Sequence, residues 1–220
     1  MMLSSFYSKL EDAPKNSPVF LTSKLDDEEF LLKAYRFGLF PWTNNPVSWW
    51  CPDPRMVLFP NEIYKQKSIR RFFKHYRVAL DKNFHELIRL CANTREKSWL
   101  DEDFICIFTK LFDRGFAHSL EIYENESLVG GIYGLIIGKV FFGESMVSLK
   151  KNVSKIAMIK LCELLGEFDF IIDCQVYNPH LEFMGAKPLS RKSFLELLEQ
   201  KVSQDSGFKE FKDLESSFLS

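Results

Sequence analysis

The sequence predicts an α+β fold: one mostly antiparallel sheet with helices packed on it, joined to a smaller N-terminal α/β part. Three observations carry this reading. Residues 118–148 form a meander of apolar strand-like runs broken at Asn125-Glu126-Ser127 and Gly138-Lys139. Residues 152–168 switch to helical spacing, with Val153, Ala157, Leu161, Leu164 and Leu165 on one stripe. Before about residue 60 the texture differs, dense in proline and tryptophan, so a small N-terminal domain is expected over 1–60 and the main domain over 61–220. At 220 residues and 46% hydrophobic, the chain is long enough to bury a core of that size.

Taken in order, residues 1–25 are irregular and mostly polar. "DDEEFLLKAYRFG" (26–38) is a short helix with acids in its first turn and Gly38 as its stop. Four prolines and three tryptophans between 41 and 54 preclude continuous regular structure there. "KQKSIRRFFKHYR" (65–77) reads as a basic helix with a buried aromatic side, and 84–94 and 101–116 as amphipathic helices. Asn152 is placed to cap the helix over 152–168. After it, "FIIDCQV" reads as a strand, "NPHLEFMG" as a short helix and "RKSFLELLEQ" as the last helix.

Composition excludes some classes. A formal net charge of −1 gives no global attraction to polyanions. No apolar run approaches a membrane span, and the first residues lack a basic start followed by an apolar stretch. Five cysteines without a CxxC pair fit reduced thiols in a cytoplasmic protein, and His75, His85 and His180 show no metal-ligand spacing. No metal or cofactor is therefore expected. His118 is expected to be structural.

Four features can carry chemistry. In an extended strand Asp173 and Gln175 share a face, opposite Phe170, Ile172, Cys174 and Val176. That parity makes Cys174 a buried, inert thiol. Glu144 interrupts an apolar strand, where a carboxylate must be paired or functional. Lys65, Lys67, Arg70, Arg71, Lys74 and Arg77 cluster with no acid among them, which fits contact with a phosphate backbone. Trp42, Trp49, Trp50 and Trp99 lie near loops; beside a basic patch a tryptophan can stack on a base, and otherwise it fills core.

In order along the chain, "AYRFGLFPW", "WWCPDPRMVLFP", "AHSLEIY", "LVGGIYG", "FFGESMVS", "NVSK" and "IIDCQVYNPHLEFMGA" resemble the leucyl/phenylalanyl-tRNA–protein transferase family from about residue 26 to 200. The stretch before the first helix reads "FLTSKLDDEEF" in place of that family's Gly-rich run. The resemblance implies an acetyltransferase-like (GNAT-type) main domain. It implies transfer of Leu or Phe, with Met also accepted, from aminoacyl-tRNA to the α-amine of proteins beginning with Lys or Arg, marking them for degradation. It also implies roles for single residues. Asp173 and Gln175 would be the catalytic pair, and Trp42 and Trp99 would hold the terminal adenine. Met146 would line the aminoacyl pocket, with Glu144 beside the acceptor site. Ile132, Phe141 and Met158 lie in the matched blocks and are candidates for the same apolar pocket. The protein is expected to act as a monomer.

Such a reaction is aminolysis of an activated ester, so it needs no ATP. It needs a deprotonated, oriented amine and a place for the developing oxyanion. Rival readings make different demands. A CoA-dependent acetyltransferase should carry a Gly-rich pyrophosphate loop where a strand meets the main helix, and "SLKKNVSKIA" has no glycine there. A non-catalytic RNA-binding protein explains the basic stretch and the tryptophans but not Glu144 and Asp173. A related transferase acting on acidic N-termini stays open.

Overall fold

The computed structural model describes residues 10, 12–25, 27–94 and 99–218. Two sheets organise it. Strands β1 (Phe20–Thr22), β2 (Phe40–Thr43) and β3 (Val47–Trp50) form a small antiparallel sheet in the order β1-β3-β2. Strands β4 (Arg55–Leu58), β5 (Arg77–Leu80), β6 (Ala117–Glu124), β7 (Ser127–Ile137), β8 (Val140–Ser148), β9 (Ile171–Asp173) and β10 (Lys187–Leu189) form the main sheet, in the order β10-β4-β9-β8-β7-β6-β5. Every pairing in it is antiparallel except β8 with β9. The fold is thus mixed α+β with a mixed sheet. A boundary at residue 60 falls after β4, which pairs with β9 and β10 inside the main sheet.

The helices are α1 (Glu28–Arg36), α2 (Arg70–Phe73), α3 (Phe84–Asn93), α4 (Glu102–Asp113), α5 (Val153–Gly166), α6 (Pro179–Phe183) and α7 (Arg191–Val202). Alternate strand residues feed two cores on the two sheet faces. Leu135, Phe142 and Ile171 join α1, α3, α4 and α7 on one face, while Ile136, Phe141 and Ile172 join α5 on the other. Helix α1 begins as expected, with Asp27 accepting the Phe30 amide at 2.9 Å. It ends at Gly38, whose φ of +78° would strain any residue with a side chain and where a Cβ would crowd the Leu195 methyl.

The local expectations fare differently. The proline-rich stretch is not continuously regular, as expected, but holds two short strands, because Pro41 lies on β2, an edge of the small sheet, and Pro46 falls in the β2–β3 turn. Trp49 is core filler, packed on Phe20 and Phe30 at ring distances of 5.8 and 5.1 Å. The basic stretch is not one helix. A 3₁₀ turn over Lys67–Ile69 and the single turn of α2 give way to β5, whose pairing with β6 overrides the helical tendency. Asn152 sits at the α5 N-cap in a left-handed conformation (φ 71°) without a side-chain cap, and Ser148 Oγ accepts the Ser154 amide instead.

Candidate active site

The parallel pairing of β8 and β9 ends at Phe142 opposite Asp173. Strand β8 runs on to Ser148, while the chain after Asp173 turns to β4, where Cys174 N bonds Met56 O and Met56 N bonds Gln175 O. A cavity of about 280 Å³ opens where the two segments part. Trp42, Trp99, Ile132, Glu144, Met146, Met158, Asp173 and Gln175 all line it. The sequence separates these residues by up to 133 positions (42 to 175), and the sheet brings them together. Phe141 is not among the walls; its side chain is fully buried in the core on the α5 face.

Glu144 reaches the cavity through a β-bulge. Tyr133 pairs with Ser145 and Gly134 with Gly143, so Glu144 is the extra residue of β8. The bulge reverses strand parity: Phe142 and Val147, five apart, belong to the same core, and Met146 packs against the other. Glu144 Oε1 accepts from Tyr35 Oη at 2.6 Å and from Gln175 Nε2 at 3.0 Å. Burial pushes the Glu144 carboxyl up to about 8, against the lowering effect of the Tyr35 hydrogen bond. Burial and the neighbouring Glu144 both push the Tyr35 hydroxyl up, so it stays protonated and donates.

Asp173 is fully buried. Its Oδ1 accepts from Arg55 Nε at 2.7 Å and its Oδ2 from Arg55 Nη2 at 2.6 Å. The guanidinium lies between the rings of Phe40 and Phe194, at 4.6 and 4.7 Å, and its Nη1 bonds Gly38 O at 3.1 Å. Asp173 Oδ1 also accepts the Gln175 amide at 2.9 Å. Gln175 is left-handed (φ 62°) and lies beyond the end of β9, so it does not share a strand face with Asp173. The bond to its own amide brings the two residues together. Gln175 Oε1 has no partner among the described residues, leaving an acceptor for a ligand.

Two supporting residues carry no assignment from sequence: Tyr35 and Arg55. Both stand inside the motifs "AYRFG" and "PDPR", the only signal available for them. Cys174 is half-buried, and burial pushes its thiol up, as an unreactive thiol requires. His118 is structural as expected, with Nδ1 2.7 Å from Asp81 and Nε2 3.1 Å from Gly115 O.

The basic residues are elsewhere. Lys65 pairs with Glu163 of α5 at 3.1 Å, so the acid missing from its own segment is supplied by the fold. Arg71 lies over Phe72 and Arg77 over Tyr123, and Lys67, Arg71, Lys74 and Arg77 are exposed. The Arg70 side chain lies outside the described residues. Among the described residues no cluster of His, Cys, Asp and Glu could hold a metal, and no helix is long and apolar enough to cross a membrane.

A conserved protein of unknown function from Bacteroides thetaiotaomicron VPI-5482 aligns with a TM-score of 0.45 at 10% identity, over 69% of this chain and 56% of that one, too slight a likeness to assign a fold family. Sequence comparison is decisive. A leucyl/phenylalanyl-tRNA--protein transferase of Campylobacter jejuni serotype O:2 is 63% identical over 97% of this chain and 99% of its own length. The Campylobacter lari and Aliivibrio fischeri (strain ES114) proteins of that name are 58% and 42% identical, over 97% and 90% of this chain and 100% and 86% of their own lengths. Residues 27–53 match the family's N-terminal domain and residues 57–199 its main region. The chain therefore belongs to the leucyl/phenylalanyl-tRNA protein transferase family and is an aminoacyltransferase.

Proposed function

We propose that this enzyme moves leucine, phenylalanine or methionine from aminoacyl-tRNA to the α-amine of proteins beginning with lysine or arginine, so marking them for degradation. One observation carries the reading: a single cavity is walled by two indoles, by apolar Ile132, Met146 and Met158, and by the amide of Gln175. Trp42 and Trp99 hold the terminal adenine by stacking. The apolar wall takes the amino-acid side chain. Gln175 Oε1 accepts a hydrogen bond from the incoming amine and aims its lone pair at the ester carbonyl. Asp173 acts with Gln175 by fixing its backbone.

The exposed cations of 65–77 hold the acceptor arm through its phosphates. The parallel β8–β9 pair, joined through α5 in an otherwise antiparallel sheet, supports an acetyltransferase-like architecture for the main domain. The enzyme acts as a monomer in the cytoplasm, where its tRNA substrate is found. The ester bond already carries the free energy for amide formation, so no cofactor enters the balance. The test is to mix the protein with leucyl-tRNA and peptides beginning with Arg, Lys, Asp or Ala, and to follow which gain leucine. Transfer to Arg and Lys alone is expected. Transfer to Asp would assign the acceptor class to acidic N-termini, and transfer to none would leave an RNA-binding protein.

A further inference from the structure

Resting on the transfer reaction proposed above, we infer that Glu144 is the proton acceptor for the incoming α-amine, while Asp173, clamped by Arg55, is a positioning residue that never takes that proton. The two carboxylates of the site are occupied very differently. Both Asp173 oxygens are engaged by Arg55, and Oδ1 also serves the Gln175 amide. Its side chain is fully buried, so an amine could reach it only by breaking the ion pair. Glu144 has both its hydrogen bonds on Oε1, from Tyr35 and Gln175. Its Oε2 receives none among the described residues, and Glu144 lines the cavity.

The bulge that expels Glu144 from the β7–β8 ladder therefore delivers an open carboxylate oxygen beside the Gln175 amide. Gln175 donates to Glu144 through Nε2, which leaves its Oε1 for the amine. One amine can thus meet an orienting acceptor and a proton acceptor on adjoining side chains. The groups facing Glu144 are Tyr35 from α1, Arg55 from β4, and Asp173 and Gln175 from β9 and its extension. Burial raises Glu144 to about 8, close to the pKa of a peptide α-amine at roughly 7.7–8.0. Proton transfer between two such groups is nearly thermoneutral, the condition for efficient general base catalysis.

The protons balance as follows. The Glu144 carboxylate, the minor form below pH ~8, takes one from the ammonium, and the neutral nitrogen adds to the ester carbonyl carbon. As the carbon–oxygen bond to the ribose breaks, Glu144 returns that proton to the departing ribose oxygen. It then takes the second proton from the new amide nitrogen and releases it to solvent.

The test is single-turnover transfer from leucyl-tRNA to an Arg-peptide by Glu144→Gln, across pH 7 to about 10, with leucyl-tRNA affinity and melting temperature taken alongside. Glutamine keeps an oxygen for Tyr35 and Gln175 but cannot take a proton. A fall of about 10²–10⁴-fold at neutral pH is expected, with affinity unchanged. The deficit should narrow above pH ~8, as the amine loses its proton unaided. Glu144→Asp should recover part of the rate. A rate within threefold of the wild type, a deficit equal at every pH, or a parallel loss of affinity and melting temperature would overturn the assignment. A wild-type protein that transfers nothing would instead remove the proposed function, and this role with it.

Discussion

Arg55 closes a two-pronged ion pair on Asp173, at 2.7 and 2.6 Å, with both side chains fully buried. It ties β4 to the β9 strand end that carries Gln175 into the cavity. Removing one partner strands a buried charge. Arg55→Met or Asp173→Asn should therefore cost about 3–5 kcal/mol of stability, read as the denaturant midpoint, as well as slow transfer. Arg55→Met/Asp173→Leu should be more stable than either single variant, while transfer stays low. Full stability in Asp173→Asn would show that the pair does not hold the site.

Gln175→Ala removes the orienting oxygen without stranding a charge. Single-turnover transfer at saturating leucyl-tRNA should fall at least tenfold, with little change in melting temperature or leucyl-tRNA affinity. Asp173→Asn/Gln175→Ala should transfer little worse than the slower single variant, because residues acting as a unit are not additive. Losses that multiply would separate their roles.

Stability should fall with rising pH because of Glu144. Its folded pKa, about 8, lies above its ordinary value of 4.5. Below pH ~4.5 both folded and unfolded chains hold the proton and the group contributes nothing. Between there and pH ~8 the unfolded chain has lost the proton while the folded one keeps it, so stability declines by up to a few kcal/mol. Buried Glu121, raised to about 7, adds a similar decline over a shorter range. Melting curves from pH 5 to 8 should show the wild type falling more steeply than Glu144→Gln. Parallel curves would place the Glu144 pKa near its ordinary value.

Neutralising Arg70, Arg71 and Lys74 together should weaken tRNA binding and flatten its dependence on salt. The log–log slope should fall by up to about 0.7–0.9 for each phosphate that is no longer neutralised. Affinity titrations at several salt concentrations measure it. An unchanged slope would move the tRNA-binding surface elsewhere.

The apolar wall should disfavour β-branched side chains. Leucyl-tRNA should outcompete valyl-tRNA as donor by about 10–200-fold, the range one methylene is worth in such a pocket. Met158→Ala should narrow that margin by enlarging the wall that Met158 forms. Equal transfer from both donors would contradict the pocket.

Much of the scaffold was legible because its signals are local. The β6–β7–β8 meander and helices α1, α3, α4 and α5 follow from periodicity, turn residues and acidic first turns. The motifs around Trp42, Glu144 and Asp173, far apart in sequence, meet at one cavity. What strand parity could not supply was the geometry at Asp173 and Gln175. It treats 170–176 as one extended run, whereas β9 ends at Asp173 and Gln175 is left-handed. A bulge is equally invisible to alternation, since one inserted residue at Glu144 flips every side chain after it.

The sequence by itself determined the β6–β7–β8 meander, most of the helices and which residue types are available for chemistry, because propensity and patterning act over a few residues. Only the tertiary structure decided which carboxylate is open and which is sealed. Arg55 reaches Asp173 across 118 positions and Tyr35 reaches Glu144 across 109. The physical reason is that a buried charge must find a partner, and that partner is set by strand order and helix packing rather than by nearness in the chain.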